Sequence, residues 1–266
     1  MAKTRAKKSA AKAPAAKPRT AKAAPMKVAA AGPSNAELSK RLERAEHEIG
    51  ILQDKNAIKE LHYKYGYYID KCMWIEAVDL FADDCEVRFG NGIYRGKQGA
   101  HRLYVGWFQK LFTGGYNGPI YGFLLEHMMF QFIIDVADDR KTAKARGRGF
   151  LLGGVHKTKK DKIPGVPDQF WEGGVYENTY VKANGIWKIK LLNYNLTFQA
   201  DYIKGWMNDE AHIPTLTETY PQNPNGPDEI TNEPPYVWPN SRVVPFHYPH
   251  PVTGKMWKGK IKGIGK

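Results

Sequence analysis

Cysteine is scarce in this chain: two residues, Cys72 and Cys85, among 266. Two thiols cannot build a disulfide framework or a cysteine-rich zinc site, and they fit a reducing, intracellular setting. No run approaches the roughly 18 consecutive apolar residues that a membrane span needs. The first residues lack the apolar core of a secretion signal. These absences lead to the expectation of a soluble, cytoplasmic protein that makes no membrane contact. Phosphate-binding glycine loops, nucleotide fingerprints and Ser/His/Asp motifs are also missing.

Acid is absent from both ends. Residues 1–33 carry nine Lys/Arg and residues 254–266 carry five Lys, with no Asp or Glu in either stretch. The whole chain has a net charge of +13, yet residues 34–253 hold 26 basic against 27 acidic residues. The positive charge therefore belongs to the tails, which weakens any reading of the whole protein as a nucleic-acid binder. The Ala/Lys/Pro-rich stretch 1–33 has too little apolar surface to repay the entropy of ordering. It is expected to be a solubilising, disordered tail, with weak, non-specific contact to nucleic acid or anionic surfaces as the alternative.

Helical periodicity follows. Ser34 and Asn35 read as an N-cap, and Leu38, Leu42, Ala45, Ile49 and Leu52 recur at three- and four-residue steps. Gly50 is expected to interrupt this amphipathic helix, and a second run continues through Ile58, Leu61, Tyr65 and Ile69 to Asp70. Trp74–Phe81 reads as a short helix closed by Ala82-Asp83-Asp84. The period then changes to two around the turn Gly90-Asn91-Gly92, a hairpin signal. Lys97–Phe112 reads as a third helix.

Four strand-like runs occupy about 122–137, 142–155, 171–183 and 186–200, with Asn184-Gly185 a strong hairpin turn. Helices followed by long strands indicate an α+β protein with helices on one face of a curved sheet. The boundaries read as a tail over 1–33, an N-terminal helix over 34–51, a domain over 52–208, and a Pro/aromatic-rich extension over 209–266. The aromatics of that extension suit a segment wrapped over the domain or over a partner subunit.

Side-chain alternation sorts the candidates for a site. In the first long strand Phe123, Leu125, His127, Met129, Gln131 and Ile133 share a face. In the third, Gly174, Tyr176, Asn178 and Tyr180 do, and in the last Leu191, Asn193, Asn195 and Thr197 do. If these faces line one pocket, it is apolar with a few polar groups, as small-molecule sites are. Met129, Gln131, Tyr176, Asn178, Asn193 and Asn195, with Phe89 from the hairpin, are the expected substrate contacts. His127 is the leading catalytic candidate, because an imidazole exchanges protons near neutral pH; the alternative is a buried histidine bonded across the sheet. Asp70 is either a second acid–base group or the N-cap of the helix after it. Tyr65 is either an oxyanion donor or ordinary core. Arg146 and Arg148 are expected on the opposite side of the sheet. His247-x-x-His250 has metal-ligand spacing without supporting carboxylates, so no metal is assigned.

Several motifs together resemble the SnoaL-like domains of the nuclear transport factor 2-like superfamily. They are Ile58-x-x-Leu61-x-x-x-Tyr65, Asp70-x-x-x-Trp74, Leu80-Phe81-Ala82-Asp83-Asp84-x-x-Val87, Gly92-x-Tyr94-x-Gly96, the strand with His127, and Asn184-Gly185-x-Trp187-Lys188-Ile189. The resemblance implies a cone-shaped α+β barrel, a strongly curved antiparallel sheet whose concave face and helices enclose one hydrophobic pocket. It places His127 and Asp70 where scytalone dehydratases have catalytic residues, and Tyr65 where ketosteroid isomerases bind an oxyanion. Phe89 replaces the isomerases' catalytic Asp, while Ile69 and Gly153 replace the dehydratases' Tyr and second His. Neither mechanism therefore transfers unchanged.

The basic tail, the long first helix and Pro245-Phe246-His247-Tyr248-Pro249-His250-Pro251 resemble a narrower branch, the formaldehyde lyases acting on lignin-derived diarylpropanes and phenylcoumarans. That branch implies a small aromatic substrate, no cofactor, and loss of formaldehyde to give a stilbene. Dehydration or isomerisation of another hydrophobic alcohol, or ligand binding without catalysis, are the alternatives. Family habit implies a homodimer or higher homo-oligomer.

Overall fold

The computed structural model describes residues 32–159, 161–232 and 236–259; the expectation for the tail 1–33 lies outside them but for its last two residues. The chain divides into two units, Met1–Glu43 and Arg44–Lys266. In the first, helix α1 starts at Asn35, and Ser34 Oγ accepts the backbone N–H of Glu37 at 3.3 Å, as an N-cap does.

Helix α1 (Asn35–Asp70) is continuous, so Gly50 does not break it. The glycine serves close packing instead. A Cβ there would lie 2.0 Å from the Arg140 guanidinium, which crosses the helix at this glycine to bond Asp54 one turn further on. The apolar stripe of the helix's first half is not its buried face, since Leu38, Leu42, Ile49 and Leu52 are exposed. Burial follows Gly50, Asp54, Ile58, His62, Tyr65 and Ile69.

After α2 (Trp74–Asp79), strand β1 (Phe81–Phe89) turns at Gly90-Asn91 into β2 (Gly92–Arg95). Phe81–Asp84 is thus strand, where the sequence reading closed a helix. Its backbone runs beside Ile189 and is hydrogen-bonded into the sheet from the start. The third helical region comprises α3 (Gly96–His101), a π-helical stretch Arg102–Phe108 and α4 (Gln109–Thr113), closed by Gly114 in the left-handed conformation. Then come β3 (Phe123–Val136), β4 (Thr142–Val155), β5 (Gln169–Ala183) and β6 (Ile186–Asp201), with a short β7 (Glu229–Ile230).

These form one seven-stranded sheet in the order β3-β4-β5-β6-β1-β2-β7. It is antiparallel except for β1 beside β6, which run parallel. The β5–β6 turn has positive φ at both Asn184 and Gly185, the geometry that an Asn-Gly hairpin favours.

Three irregularities in the long strands decide which of their side chains face inward. In β3 the ladder shifts between Phe130 and Ile133, where Gln131 takes φ +56°. Phe123, Leu125, His127 and Met129 face inward before the shift, and Phe132, Ile134 and Val136 after it, while Gln131 and Ile133 are exposed. In β6 a shift opposite Thr179/Tyr180 adds a residue, and a second follows opposite Gly173/Gly174. Because the side-chain period is two, each extra residue moves the following set to the other face. The inward residues of β6 are therefore Trp187 and Ile189, then Leu192, Tyr194 and Leu196, then Gln199. The expected set Leu191, Asn193, Asn195 and Thr197 faces the other way.

The extension after residue 208 wraps its own chain. Arg146, on the outer face, bonds Glu177 at 2.9 Å and the carbonyls of Val244 and Pro245 at 3.0 Å, and lies over the Phe246 ring. Arg148 is exposed. Among the described residues no helix is long and apolar enough to cross a membrane.

Candidate active site

A cavity of about 1090 Å³ lies between the concave face of the sheet, the helical region 96–113 and the segment Glu210–Leu216. Its walls are largely apolar: Trp74, Val87, Phe89, Leu103, Trp107, Phe108, Phe112, Leu125, Leu151, Phe170 and Leu192. The π-helical stretch supplies the aromatic wall, and Phe89 meets both Trp107 and Phe108 edge to face. Wide π turns of this kind recur at functional sites.

His127 lines this cavity, and Asp70 stands behind it. Asp70 Oδ1 is 3.0 Å from His127 Nδ1 and accepts the His127 backbone N–H at 2.5 Å. Both side chains are nearly buried. Gly66, one helical turn before Asp70, permits this approach of α1 to β3. A Cβ there would come within 3.2 Å of Met129 and 3.4 Å of the His127 carbonyl oxygen. Asp70 does not cap the next helix, which begins after Met73 with no side-chain cap. An ionised Asp70 accepting Nδ1–H leaves Nε2 with the lone pair, ready to act as a base.

Tyr65 is both core and cavity wall. Its hydroxyl is 2.8 Å from that of Tyr104, and burial pushes both phenols above their ordinary range. Phenols held neutral in this way remain hydrogen-bond donors. Tyr176 and Tyr194 pack against each other across β5 and β6, with ring centroids 4.6 Å apart and planes tilted by 36°.

Glu172 is a polar residue that the sequence reading missed, although it continues the period-two series Gly174, Tyr176, Asn178 by one step. It lines the cavity and is buried. Burial raises its carboxyl above the usual range, with His127, Gln199 and Tyr194 pulling the other way. Gln199 Nε2 donates to Glu172 Oε2 at 2.8 Å, and Gln199 Oε1 accepts the His212 N–H at 2.6 Å. Tyr104, Tyr194 and Gln199 were also unforeseen. Tyr104 carries no local signal, and the other two were hidden by the shifts in β6.

Of the expected substrate contacts, Phe89, Tyr176 and Asn195 border the cavity. Asn195 does so beside Arg242, whose Nη2 donates to its Oδ1 at 2.6 Å. The other four do not line it. Met129 packs against α1 at Gly66, and Gln131 is exposed at its bulge. Asn178 is buried behind the site, accepting the Asn193 N–H at 2.9 Å and contacting Tyr180 and His62. Asn193 itself contributes that backbone N–H.

Burial pushes the Cys72 thiol up to about 12 and the Cys85 thiol up to about 11, so neither is a ready nucleophile. His247 is paired with Glu177 and Asp135, while His250 accepts backbone N–H groups from Val252 and Thr253. The two histidines do not converge. Among the described residues no group of three or more His, Cys, Asp or Glu is arranged to hold a metal ion.

A family model described as a SnoaL-like domain matches residues 51–193, more than half of the chain. The chain belongs to the SnoaL-like family. The match takes in α1 from Ile51, the hairpin, the helical region and all four long strands up to Asn193. No curated protein matches this SnoaL-like chain.

Solved structures share parts of the fold at low identity. A candidate scytalone dehydratase of Novosphingobium aromaticivorans is 22% identical, with a TM-score of 0.46 over 64% of this chain and 99% of its own. A structure described as LinA is 18% identical, with a TM-score of 0.46 over 58% and 93% of the two chains. A hexachlorocyclohexane dehydrochlorinase, LinA-type3 of Novosphingobium barchaimii, is 18% identical, with a TM-score of 0.45 over 57% and 92%.

Proposed function

We propose that this SnoaL-like protein is a cofactor-independent lyase acting on a hydrophobic phenolic substrate, a lignin-derived diaryl compound with a benzylic oxygen and a neighbouring primary alcohol. The observation that carries this reading is the Asp70–His127 pair set into the wall of a large aromatic cavity. A fixed imidazole with a carboxylate on Nδ1 and Nε2 free is a general base. An aromatic cavity of this volume suits a two-ring molecule.

Loss of the benzylic oxygen from a ring with a para hydroxyl gives a quinone methide. His127 then removes the primary hydroxyl proton, the C–C bond breaks, and formaldehyde leaves. The electrons return to the phenolic oxygen, so the substrate is its own electron acceptor, and a stilbene remains. Tyr65, held by Tyr104, is a donor for oxygen that gains charge. Phe89 and Tyr176 border the bound rings.

The test is formaldehyde release from a diarylpropane diol and a phenylcoumaran by purified protein. Release from either substrate that is abolished by His127→Ala supports the lyase. A stilbene-free dehydration product points to simple dehydration. No turnover on either substrate refutes the reading.

A further inference from the structure

A benzylic hydroxyl leaves as water only if it gains a proton, and His127 is engaged as the base. On the concave face one transverse row crosses four strands: His127 pairs with Leu151, Leu151 with Glu172, and Glu172 with Gln199. Directly opposed residues on neighbouring strands project to the same side. His127 and Glu172 thus face one cavity from β3 and β5, with Leu151 between them. Two strand spacings put their backbones roughly 10 Å apart. A substrate lying over Leu151 meets one group on each side.

Among the described residues no Lys or Arg pairs with Glu172. The groups that favour its ionised form are the nearby His127 and two neutral partners, the Gln199 amide and Tyr194, and burial outweighs them. A carboxyl buried without a cation is retained more cheaply as the neutral acid. Gln199 is held in turn by the His212 N–H of the segment that covers the cavity. The cover therefore orients the amide, and the amide orients the acid.

We propose that Glu172 is the general acid of the site and delivers its proton to the benzylic oxygen, while His127 acts as the base on the other side. This rests on the lyase reading above, specifically on its loss of a benzylic hydroxyl. The Glu172 O–H bond breaks and its proton binds the hydroxyl oxygen. The carbon–oxygen bond breaks with both electrons passing to oxygen, and water leaves. The phenol of the same ring gives its proton to water and supplies the electron pair that forms the quinone methide. His127 next takes the proton of the primary hydroxyl. That O–H pair becomes the C=O of formaldehyde, the C–C pair becomes the stilbene double bond, and the methide electrons return to the phenolic oxygen, which regains a proton. Glu172 is now one proton short and His127 one proton over. Transfer between them through water resets the site with no oxidant or reductant. Gln199 is a positioning residue in this scheme.

The experiment compares Glu172→Gln with wild type on two substrates: the diol, and the same compound with a nitrophenyl ether at the benzylic carbon. The ether's leaving group departs without a proton. On the diol, kcat should fall about 100- to 10,000-fold, while the ether should lose less than tenfold and the melting temperature should hold. An equal loss on both substrates, or no loss on the diol, overturns the assignment of Glu172 alone. Wild type that releases formaldehyde from neither substrate overturns the lyase reading, and the acid step falls with it. If Glu172→Gln does not fold, Glu172→Asp, which withdraws the acid by one methylene, should show the same contrast between substrates. In wild type at neutral pH, infrared spectroscopy should show a protonated carboxylic acid that disappears in the variant; its absence also overturns the proposal.

Discussion

Asp70 Oδ1 holds His127 twice, through the backbone N–H at 2.5 Å and the ring Nδ1 at 3.0 Å. One carboxylate oxygen at the end of α1 thereby pins both the strand and the orientation of the imidazole on it. The bond to the backbone fixes β3 against the helix. The bond to the ring selects the tautomer.

Asp70→Asn should preserve the fold and damage the chemistry. An amide keeps both bonds only with its oxygen in the place of Oδ1, and it then lacks the negative charge that stabilises the imidazolium formed when Nε2 takes a proton. We expect formaldehyde release to drop by about 100- to 10,000-fold in kcat with little change in KM. Steady-state kinetics on the diarylpropane diol would measure it, and an undiminished kcat would remove Asp70 from the mechanism.

Tyr104→Phe leaves the Tyr65 hydroxyl buried without its partner, since the two phenols are bonded to each other at 2.8 Å. A stranded buried hydroxyl costs about 1–3 kcal/mol. Urea unfolding should register that loss. The double variant with Tyr65→Phe should recover part of it, because no polar atom is then left unpaired.

Acid should weaken the fold in two stages. His62 is fully buried, and burial lowers its imidazole from 6.5 to about 3. The unfolded chain therefore takes up a proton that the folded chain refuses between those values. Stability is complete above about pH 6.5 and declines as the pH falls toward 3. Asp54 follows. Burial alone would raise its carboxyl, but hydrogen bonds from Arg140, Lys182 and Trp187 outweigh that and bring it from 3.8 to about 2. Its contribution is present above about pH 4 and is lost as the pH falls toward 2. Melting temperatures measured from pH 7 to 4 should decline in wild type and flatten in His62→Gln; an identical slope would exclude His62 as the source.

Gly50→Ala should destabilise the protein, although alanine in a helix interior normally gains about 1 kcal/mol over glycine. The added Cβ would fall 2.0 Å from the guanidinium that bonds Asp54 Oδ2 at 2.6 Å. Displacing Arg140 leaves a buried carboxylate with one of its two cations. Thermal unfolding would give the sign, and a higher melting temperature would show that Arg140 relocates freely.

Local rules carried the reading a long way. The Asn184-Gly185 turn, the strand run 142–155 and the helical region closed at Gly114 are products of near-neighbour chemistry, and they stand where the sequence puts them. The inward face of β3 up to Met129 and that of β5 follow from simple alternation, so His127 and Tyr176 could be named in advance. Alternation fails at a bulge. The extra residues in β3 and β6 exchange Gln131 for Phe132 and Asn193 for Leu192 and Tyr194.

No local pattern marks those bulges. The chain's own residue order was enough for the α+β class, most of the helix and strand order, the family and the Asp70–His127 candidates. The pairing of Tyr65 with Tyr104 and the row joining His127 to Glu172 and Gln199 join residues far apart in the chain. So does the covering of the cavity by the chain's own 210–216 segment. Their physical cause is the register of whole strands, which depends on every element packed against them and not on the few residues nearby.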